Sequence, residues 1–355
     1  MQLFPPLYDS PLAELFHARL PAGEPWAWLL SQRILADERL ARRLLGEPLS
    51  PGMADWISQE LGHLRRELER LKKQHPFSAF GSRPPSAAES AALKVLQEGS
   101  PTDLQNLYQT YGFGIYAQHT AFIFAQQLQA VEKPDPACFG DLVGYTRQIA
   151  ALRANVERFL EGKPAVPMLL YGARGSGKST SVKALRTQYA DRGLRLVELL
   201  ADGLERLPIL LELLAPLPFR FVLYMDDLAF ASDDPRFHQL KALLEGAVFE
   251  RPANVLPVAT SNRRNLVALH WSDRPSPDAT DPTSWDTLQD KLALADRFGL
   301  VLTFPPFDQQ LYLEAIAHIL GQELNEATRK AALQFALDGR GFSGRTARYF
   351  AYQRL

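Results

Sequence analysis

The sequence has little cysteine, no excess of either charge and no long hydrophobic run, and each shortage excludes a class of protein. Cys138 is the single cysteine in 355 residues, which excludes an internal disulfide and the common zinc clusters and is typical of a reducing cytoplasm. The 39 Lys and Arg residues nearly balance 40 Asp and Glu residues, so no whole-molecule field attracts nucleic acid or a membrane.

The chain also lacks membrane and secretion signals. No stretch approaches the roughly 18 uninterrupted apolar residues of a membrane helix. The N-terminus, residues 1–6, lacks the basic start and the apolar segment of a signal peptide. We therefore expect a cytoplasmic, soluble protein that has no membrane partner.

The most informative segment present is 172–179, which reads G-x-x-x-x-G-K-S. It follows an apolar run over 166–171 and precedes a predicted helix, which is the strand, loop and helix context of a phosphate-binding loop. Its glycines permit backbone conformations that a Cβ atom forbids, so successive N–H groups can converge on phosphate oxygens at a helix N-terminus. Lys178 would reach the β- and γ-phosphates, and the Ser179 hydroxyl would bind Mg²⁺. The predicted nucleotide-binding residues of this segment are Gly172, Ala173, Arg174, Gly175, Ser176, Gly177, Lys178, Ser179 and Thr180.

The pattern of the chain predicts three domains. Residues 1–137 are predicted as a helical N-terminal domain, with an amphipathic helix over 58–75 that either docks on its own domain or forms a short coiled-coil contact. Residues 138–306 alternate strands with helices, which predicts an α/β nucleotide-binding core around a parallel five-stranded sheet. Residues 307–355 turn helical again and are predicted as a small lid. The five predicted strands are 166–171, 194–200, 221–225, 255–260 and 300–304.

Two carboxylates follow the third predicted strand. Asp226 and Asp227 come directly after an apolar run, and such a strand presents its last residues at the carboxyl edge of a parallel sheet. Asp226 is predicted to hold Mg²⁺, which usually requires one or two carboxylates. Asp227 is predicted to polarise the attacking water. A helix cap is the alternative interpretation of the pair.

Three further polar residues complete the predicted catalytic set. Asn262 ends the fourth strand, where it would orient the water or contact the γ-phosphate, unless it is a turn residue. Arg297 precedes the last strand and is either a surface ion pair or a finger that reaches a neighbouring subunit's nucleotide. Arg345 opens the last helix after Ser343, a good N-cap, and would face the phosphates from a folded lid unless it is a plain surface residue.

Taken in order, these elements resemble an AAA+ ATPase. Segment 172–179 is similar to Walker A, and 221–227 is similar to Walker B, with Asp-Asp in place of the commoner Asp-Glu. The resemblance implies that Asn262 is sensor 1, Arg297 the arginine finger and Arg345 the sensor 2 arginine. It also implies that Val143 and Gly144, in the box 142–145, line the adenine pocket.

Within that superfamily, the stretches 171–179, 259–264 and 291–300 resemble a bacterial family called domain of unknown function 815, and 343–348 adds to the likeness. The resemblance covers residues 139–355 well, and it implies ATP rather than GTP as ligand and a homo-oligomer in which Arg297 acts in trans.

The resulting hypothesis is Mg-ATP hydrolysis coupled to the remodelling or loading of a macromolecular partner. An ATP-gated switch or scaffold with slow hydrolysis is the alternative, which the Asp-Asp pair keeps open. A small-molecule phosphotransferase fits less well, because it would not need Asn262, Arg297 and Arg345 together. We expect the partner to be a protein rather than DNA, although arginines cluster without acids after Asp338.

Overall fold

A computed structural model of the protein describes residues 25–74, 84–231, 234, 236–245, 251–267 and 294–355. The chain forms two compact units. The first holds the residues up to His119 together with 216–219, and the second holds 120–215 and 220–355. Among the described helices, none combines the length and the apolar character needed to cross a bilayer.

The first unit is helical, as predicted. Its longest helix, α3, buries Ile57, Leu61, Leu64, Leu68 and Leu71 along one face, which is the stripe of an amphipathic helix. That face packs inside the unit, against its neighbouring helices, so it docks on its own domain. The helices of this unit are α1 (Pro25–Ala36), α2 (Glu38–Gly46), α3 (Pro51–Gln74), α4 (Ala87–Glu98), α5 (Pro101–Tyr111) and α6 (Ile115–Gln118).

The second unit is built on a sheet of seven strands in the order β2-β1-β4-β5-β6-β3-β7. All neighbouring pairs are parallel except β1 with β2. The five predicted strands are confirmed as β3 to β7. The described strands are β1 (Ala121–Phe124), β2 (Leu128–Ala130), β3 (Met168–Gly172), β4 (Leu194–Leu199), β5 (Arg220–Met225), β6 (Val255–Ser261) and β7 (Leu300–Phe304).

The hairpin of β1 and β2 corrects the predicted domain plan. These residues were assigned to the helical N-terminal domain, whose boundary was set at 137, but β1 pairs with β4 and lengthens the sheet. The chain divides at His119 instead. The physical reason is that Ala121, Phe122 and Phe124 are buried at that position, and an apolar strand is best covered when it joins an existing edge.

Helices pack against both faces of this sheet. The helices α7 (Thr146–Leu160) and α8 (Lys178–Tyr189) cover one face with Leu152, Val156 and Val182, which pack on Met168 and Leu170 of β3. Alternate residues of β5 face the other way and are equally buried, as a parallel sheet between helices requires. The remaining described helices of the core are α9 (Leu207–Leu214) and α10 (Arg236–Glu245).

Three helices follow the sheet at the C-terminal end, as predicted. They form a separate small core around Tyr312, Ile316, Ala332 and Phe350. An N-cap side chain begins each helix, Asp308, Asn325 and Ser343 in turn. The helices are α11 (Gln309–Leu320), α12 (Glu326–Leu337) and α13 (Gly344–Tyr352). Both this lid and the sheet fall in the second unit, so the predicted division at 306 stays a prediction.

Candidate nucleotide site

The loop between β3 and α8 has the backbone that its glycines predict. Gly172 has φ +141°, Gly175 φ +73° and Gly177 φ +90°, and these are conformations that favour glycine. At Gly172 the chain passes β7 so closely that the N–H of Ala173 donates to the carbonyl of Phe304 at 3.0 Å. The loop therefore ends at the N-terminus of α8 with its N–H groups at the carboxyl edge of the sheet, which is a favourable place for an anion.

Lys178 is the first residue of α8 and is only 6% exposed. Its Nζ donates to the carbonyls of Gly172 (2.9 Å) and Ala173 (2.7 Å) and to Asn262 Oδ1 (3.3 Å). Burial lowers the pKa of Lys178, and the charges of Asp227 and Asp226 oppose that shift without cancelling it. The ammonium group is thus held inside the loop.

Ser179 and Asp226, the two residues predicted to hold a cation, are hydrogen-bonded to each other. Ser179 donates its hydroxyl proton to Asp226 Oδ1 at 2.8 Å, which leaves the lone pairs of the Ser179 oxygen available to a cation. Burial by itself would raise the pKa of Asp226, but hydrogen bonds donated by Thr260 and Ser179, among others, outweigh burial and lower it. Hard oxygen donors of this kind fit Mg²⁺.

No group of three or more His, Cys, Asp or Glu side chains in the part of the chain that the structure describes could hold a metal by itself. This agrees with the chemistry of Mg²⁺, which takes one or two carboxylates and completes its shell with water and phosphate oxygens. Ser179 and Asp226 therefore fit Mg²⁺ in the company of a nucleotide better than they fit a permanently bound metal.

Asp227 and Asn262 lie side by side at the same edge. Asn262 donates its amide to Asp227 Oδ1 in a short hydrogen bond, while its own Oδ1 accepts from Lys178. Asn262 thereby links the loop lysine to the second carboxylate. Asp227 has φ +46°, which is unusual for a residue other than glycine.

The last helix supplies another wall. The Gly344 N–H donates to the Gly175 carbonyl at 2.9 Å, so α13 begins at the phosphate loop. Arg345, Arg348, Tyr349 and Tyr352 follow at the spacing of one helical face, and all four line the same cavity as the loop. Sequence reasoning assigned no site role to Arg348, although its position three residues after Arg345 could have indicated one.

The cavity has a volume of about 1080 Å³. Most of the residues that the sequence predicted for the site line this cavity. They are Val143, Arg174, Gly175, Ser176, Gly177, Lys178, Ser179, Thr180, Asp226, Asp227, Asn262 and Arg345.

Gly144 is not among the residues that line the cavity. A glycine is needed at this position for a different reason. It has φ +77°, and an ideal Cβ atom there would lie 2.7 Å from the Leu311 side chain of α11. Its role is therefore to let the chain pass close beside the lid. Nearby, His318 of the lid hydrogen-bonds through Nε2 to the Gly140 carbonyl at 2.6 Å, which holds that wall of the cavity.

Arg297 is not brought together with the other predicted catalytic residues. It ends a short 3-10 turn before β7, and β7 runs parallel to β3 with Leu300 beside Met168 and Phe304 beside Gly172. Arg297 thus precedes the amino end of β7, whereas the phosphate loop follows the carboxyl end of β3. Residues 291–293, part of the stretch that resembled the family, lie outside the described residues.

Two residues at the edge were missed by sequence reasoning. Thr260 is 1% exposed and hydrogen-bonds to the Asp226 carboxylate and to the backbone N–H of Asp227, yet in the sequence it resembles an ordinary β-branched strand residue. Asp135 binds Lys183 at 3.2 Å and accepts from Arg186 through its carbonyl, which fixes the segment that contributes Pro136 and Ala137 to the cavity.

Comparison with known proteins gives one matching family and several solved structures of remote similarity. The family model described as "Protein of unknown function (DUF815)" matches residues 117–355, about two thirds of the chain. Among solved structures, the Holliday junction branch migration motor RuvB of Thermotoga maritima is 14% identical, with 61% of this chain and 72% of that chain covered and a TM-score of 0.34. Its P216G mutant is 16% identical, with 62% and 65% covered and a TM-score of 0.40. No curated protein matches the chain.

Proposed function

This chain belongs to the DUF815 family, and we propose that it has an AAA+ core, binds ATP with Mg²⁺ and hydrolyses the ATP to remodel or load a macromolecular partner. The observation that carries the proposal is the Ser179–Asp226 hydrogen bond of 2.8 Å at the mouth of a glycine loop that already holds Lys178. A phosphate cradle and a cation site in this arrangement are what an NTPase needs.

Charge and size support a nucleoside triphosphate as the ligand. A cavity of about 1080 Å³ is large enough for a nucleotide, because ligand sites commonly measure roughly 300–1,000 Å³. Arg174, Lys178, Arg345 and Arg348 line it together with four aspartates, and the four basic side chains are suited to the phosphate groups of a triphosphate. The N-terminus of α8 adds its own dipole.

Ser179 and Asp226 would hold the magnesium ion. When bound, the ion would neutralise charge on the phosphate oxygens and help to orient them. Asp226 is suited to this role because its lowered pKa keeps it ionised at neutral pH.

Asp227 is proposed to take the proton of the attacking water, with Asn262 orienting its carboxylate. Positioned acid–base help of this kind usually contributes roughly 10²–10⁴-fold to a rate. The same contact supports the second candidate, an ATP-gated switch with slow hydrolysis, because the Asn262 amide already occupies one oxygen of the carboxylate that would act as base. The two candidates differ in turnover and agree on the binding site.

Arg297 is proposed to act in trans in a homo-oligomer. Its position before the amino end of β7, while the loop follows the carboxyl end of β3, and its absence from the described lining of the cavity support a role outside the pocket of its own subunit. A protein client and a cytoplasmic location stay predictions from the sequence.

Lys178→Ala tests the nucleotide site. Calorimetry should record at least about tenfold weaker ATP binding, since a charge-assisted hydrogen bond contributes about 1.5–3 kcal/mol. Lys163→Ala is the matched control, because Lys163 is exposed and paired only with Glu161 in a surface ion pair. Equal ATP affinity in wild type and Lys178→Ala would overturn the assignment of the site.

A further inference from the structure

Thr260 forms hydrogen bonds with the segment that carries Asp226 and Asp227. Thr260 of β6 donates its hydroxyl proton to Asp226 Oδ1 at 2.6 Å, and the same hydroxyl oxygen accepts the N–H of Asp227 at 2.9 Å. Its carbonyl accepts the next N–H, that of Leu228, at 2.7 Å. Two successive backbone N–H groups and one carboxylate therefore end on a single residue that is 1% exposed.

These hydrogen bonds lie at a residue whose backbone conformation is unfavourable. Asp227 has φ +46°, and a side chain in this region of backbone space persists only when its surroundings hold it there. The two bonds from Asp227 and Leu228 to Thr260 bracket the strained residue on the side of β6. Loss of the hydroxyl would leave the Asp227 N–H with its longer bond of 3.1 Å to Asp226 Oδ1 and would loosen the direction of the Asp227 carboxylate.

The hydroxyl also fixes the direction of the Asp226 carboxylate. A hydroxyl has one proton and two lone pairs. Since one lone pair takes the Asp227 N–H, the proton is directed to Asp226, where it stabilises the ionised carboxylate. The hydroxyl thus carries opposite roles toward the two residues, and a side chain without a hydroxyl can perform neither.

We propose that Thr260 is a positioning residue that sets Asp226 for Mg²⁺ and Asp227 for the attacking water with one hydroxyl. This inference rests on the proposed function, because it assigns Thr260 to the magnesium site and to the base of that same reaction. We assign Thr260 no direct contact with the reacting atoms.

Three variants separate this role from a structural one. Thr260→Val keeps the shape and removes the hydroxyl, and Thr260→Ser keeps the hydroxyl. Ser261→Ala is the control for the loss of a buried hydroxyl from the same strand, since Ser261 is 2% exposed and donates to the Leu228 carbonyl. ATP affinity is measured by calorimetry once with Mg²⁺ and once with EDTA, and phosphate release is followed against Mg²⁺ concentration.

In Thr260→Val we expect unchanged ATP affinity in EDTA, about tenfold loss of the gain in affinity that Mg²⁺ provides, and at least about tenfold slower turnover at saturating ATP. Thr260→Ser and Ser261→Ala should stay within about threefold of wild type in both measurements. If Thr260→Val does not fold, Thr260→Cys takes its place with the same expectation, because a thiol is only a weak donor.

Several results would overturn the inference. One is a Thr260→Val protein equal to wild type, and another is a variant that loses ATP affinity equally with and without Mg²⁺. A third is a failure of Thr260→Ser to restore the Mg²⁺ effect. The proposed function fails in a different way, since wild type would then not bind ATP in either buffer.

Discussion

Gly172 and the carbonyl oxygen of Phe304 lie so close that an ideal Cβ atom on Gly172 would be 1.9 Å from that oxygen. The contact joins β3 to β7 at the point where the phosphate loop begins. Backbone meets backbone here, so no flexible side chain can move aside. The loop therefore depends on a glycine at this position for space as well as for its φ of +141°.

Gly172→Ala should accordingly destabilise the fold by more than about 3 kcal/mol, which is the range of changes that force backbone strain. The measurement is thermal unfolding followed by circular dichroism. Gly140→Ala is the control, because its new Cβ would meet only Cys138 Sγ at 3.4 Å, and it should change stability by less than about 0.5 kcal/mol. Equal unfolding temperatures for Gly172→Ala and wild type would contradict the described loop.

Asp227→Asn should leave ATP binding intact and slow hydrolysis by roughly 10²–10⁴-fold, because the amide cannot take a proton from water. Binding is measured by calorimetry and turnover by phosphate release. Asp191→Asn serves as the control, since Asp191 is exposed and lies outside the cavity lining. A variant that hydrolyses ATP at the wild-type rate would leave Asp227 a structural residue.

Arg297→Ala should make the protein nearly inactive while leaving each subunit's own pocket complete. Arginine fingers contribute on the order of 10³–10⁵ in rate, and a finger from a neighbour makes specific activity rise with protein concentration. Mixing Arg297→Ala with Lys178→Ala subunits should restore part of the turnover, since some interfaces then pair an intact pocket with an intact finger. Activity per subunit that is independent of concentration, with no rescue in mixtures that co-assemble, would exclude action in trans.

Arg345→Ala should weaken ATP binding about tenfold, the effect of one lost charge-assisted contact. Arg345 lies close to the loop, because an ideal Cβ atom built on Gly175 would be 3.6 Å from the Cβ atom of Arg345. Arg354→Ala is the control from the same end of the chain, because that guanidinium stacks on Phe350 at 3.7 Å from the ring centroid. If both variants bind ATP equally well, the lid arginine does not serve the nucleotide.

Local patterns explain what could be predicted from the sequence. The phosphate loop follows from residue types within eight positions, and the five core strands follow from apolar runs that parallel sheets require. The hairpin of β1 and β2 could not be predicted in this way, because Ala121–Phe124 is only four residues long and its partner β4 lies some seventy residues away. Strand pairing at that separation depends on which edge is left open and not on the local sequence.

The same limit applies to the site. Asp226, Asp227 and Asn262 could be predicted because strand ends in a parallel sheet meet at one edge. Thr260 could not be predicted, since its role depends on the direction in which one hydroxyl group faces Asp226 and Asp227. The role of Arg297 as a finger in trans stays a prediction.

The hydrogen bond from the Gly344 N–H to the Gly175 carbonyl couples the position of the lid to that of the phosphate loop. Displacement of α13 pulls on a loop carbonyl, and any change of the loop is felt at the first residue of α13. By thermodynamic reciprocity, a partner that grasps the lid helices and alters nucleotide affinity must have its own affinity altered by nucleotide by the same factor. Under the proposed function, a partner bound to the lid helices would therefore respond to nucleotide occupancy, and alter it, without access to the cavity.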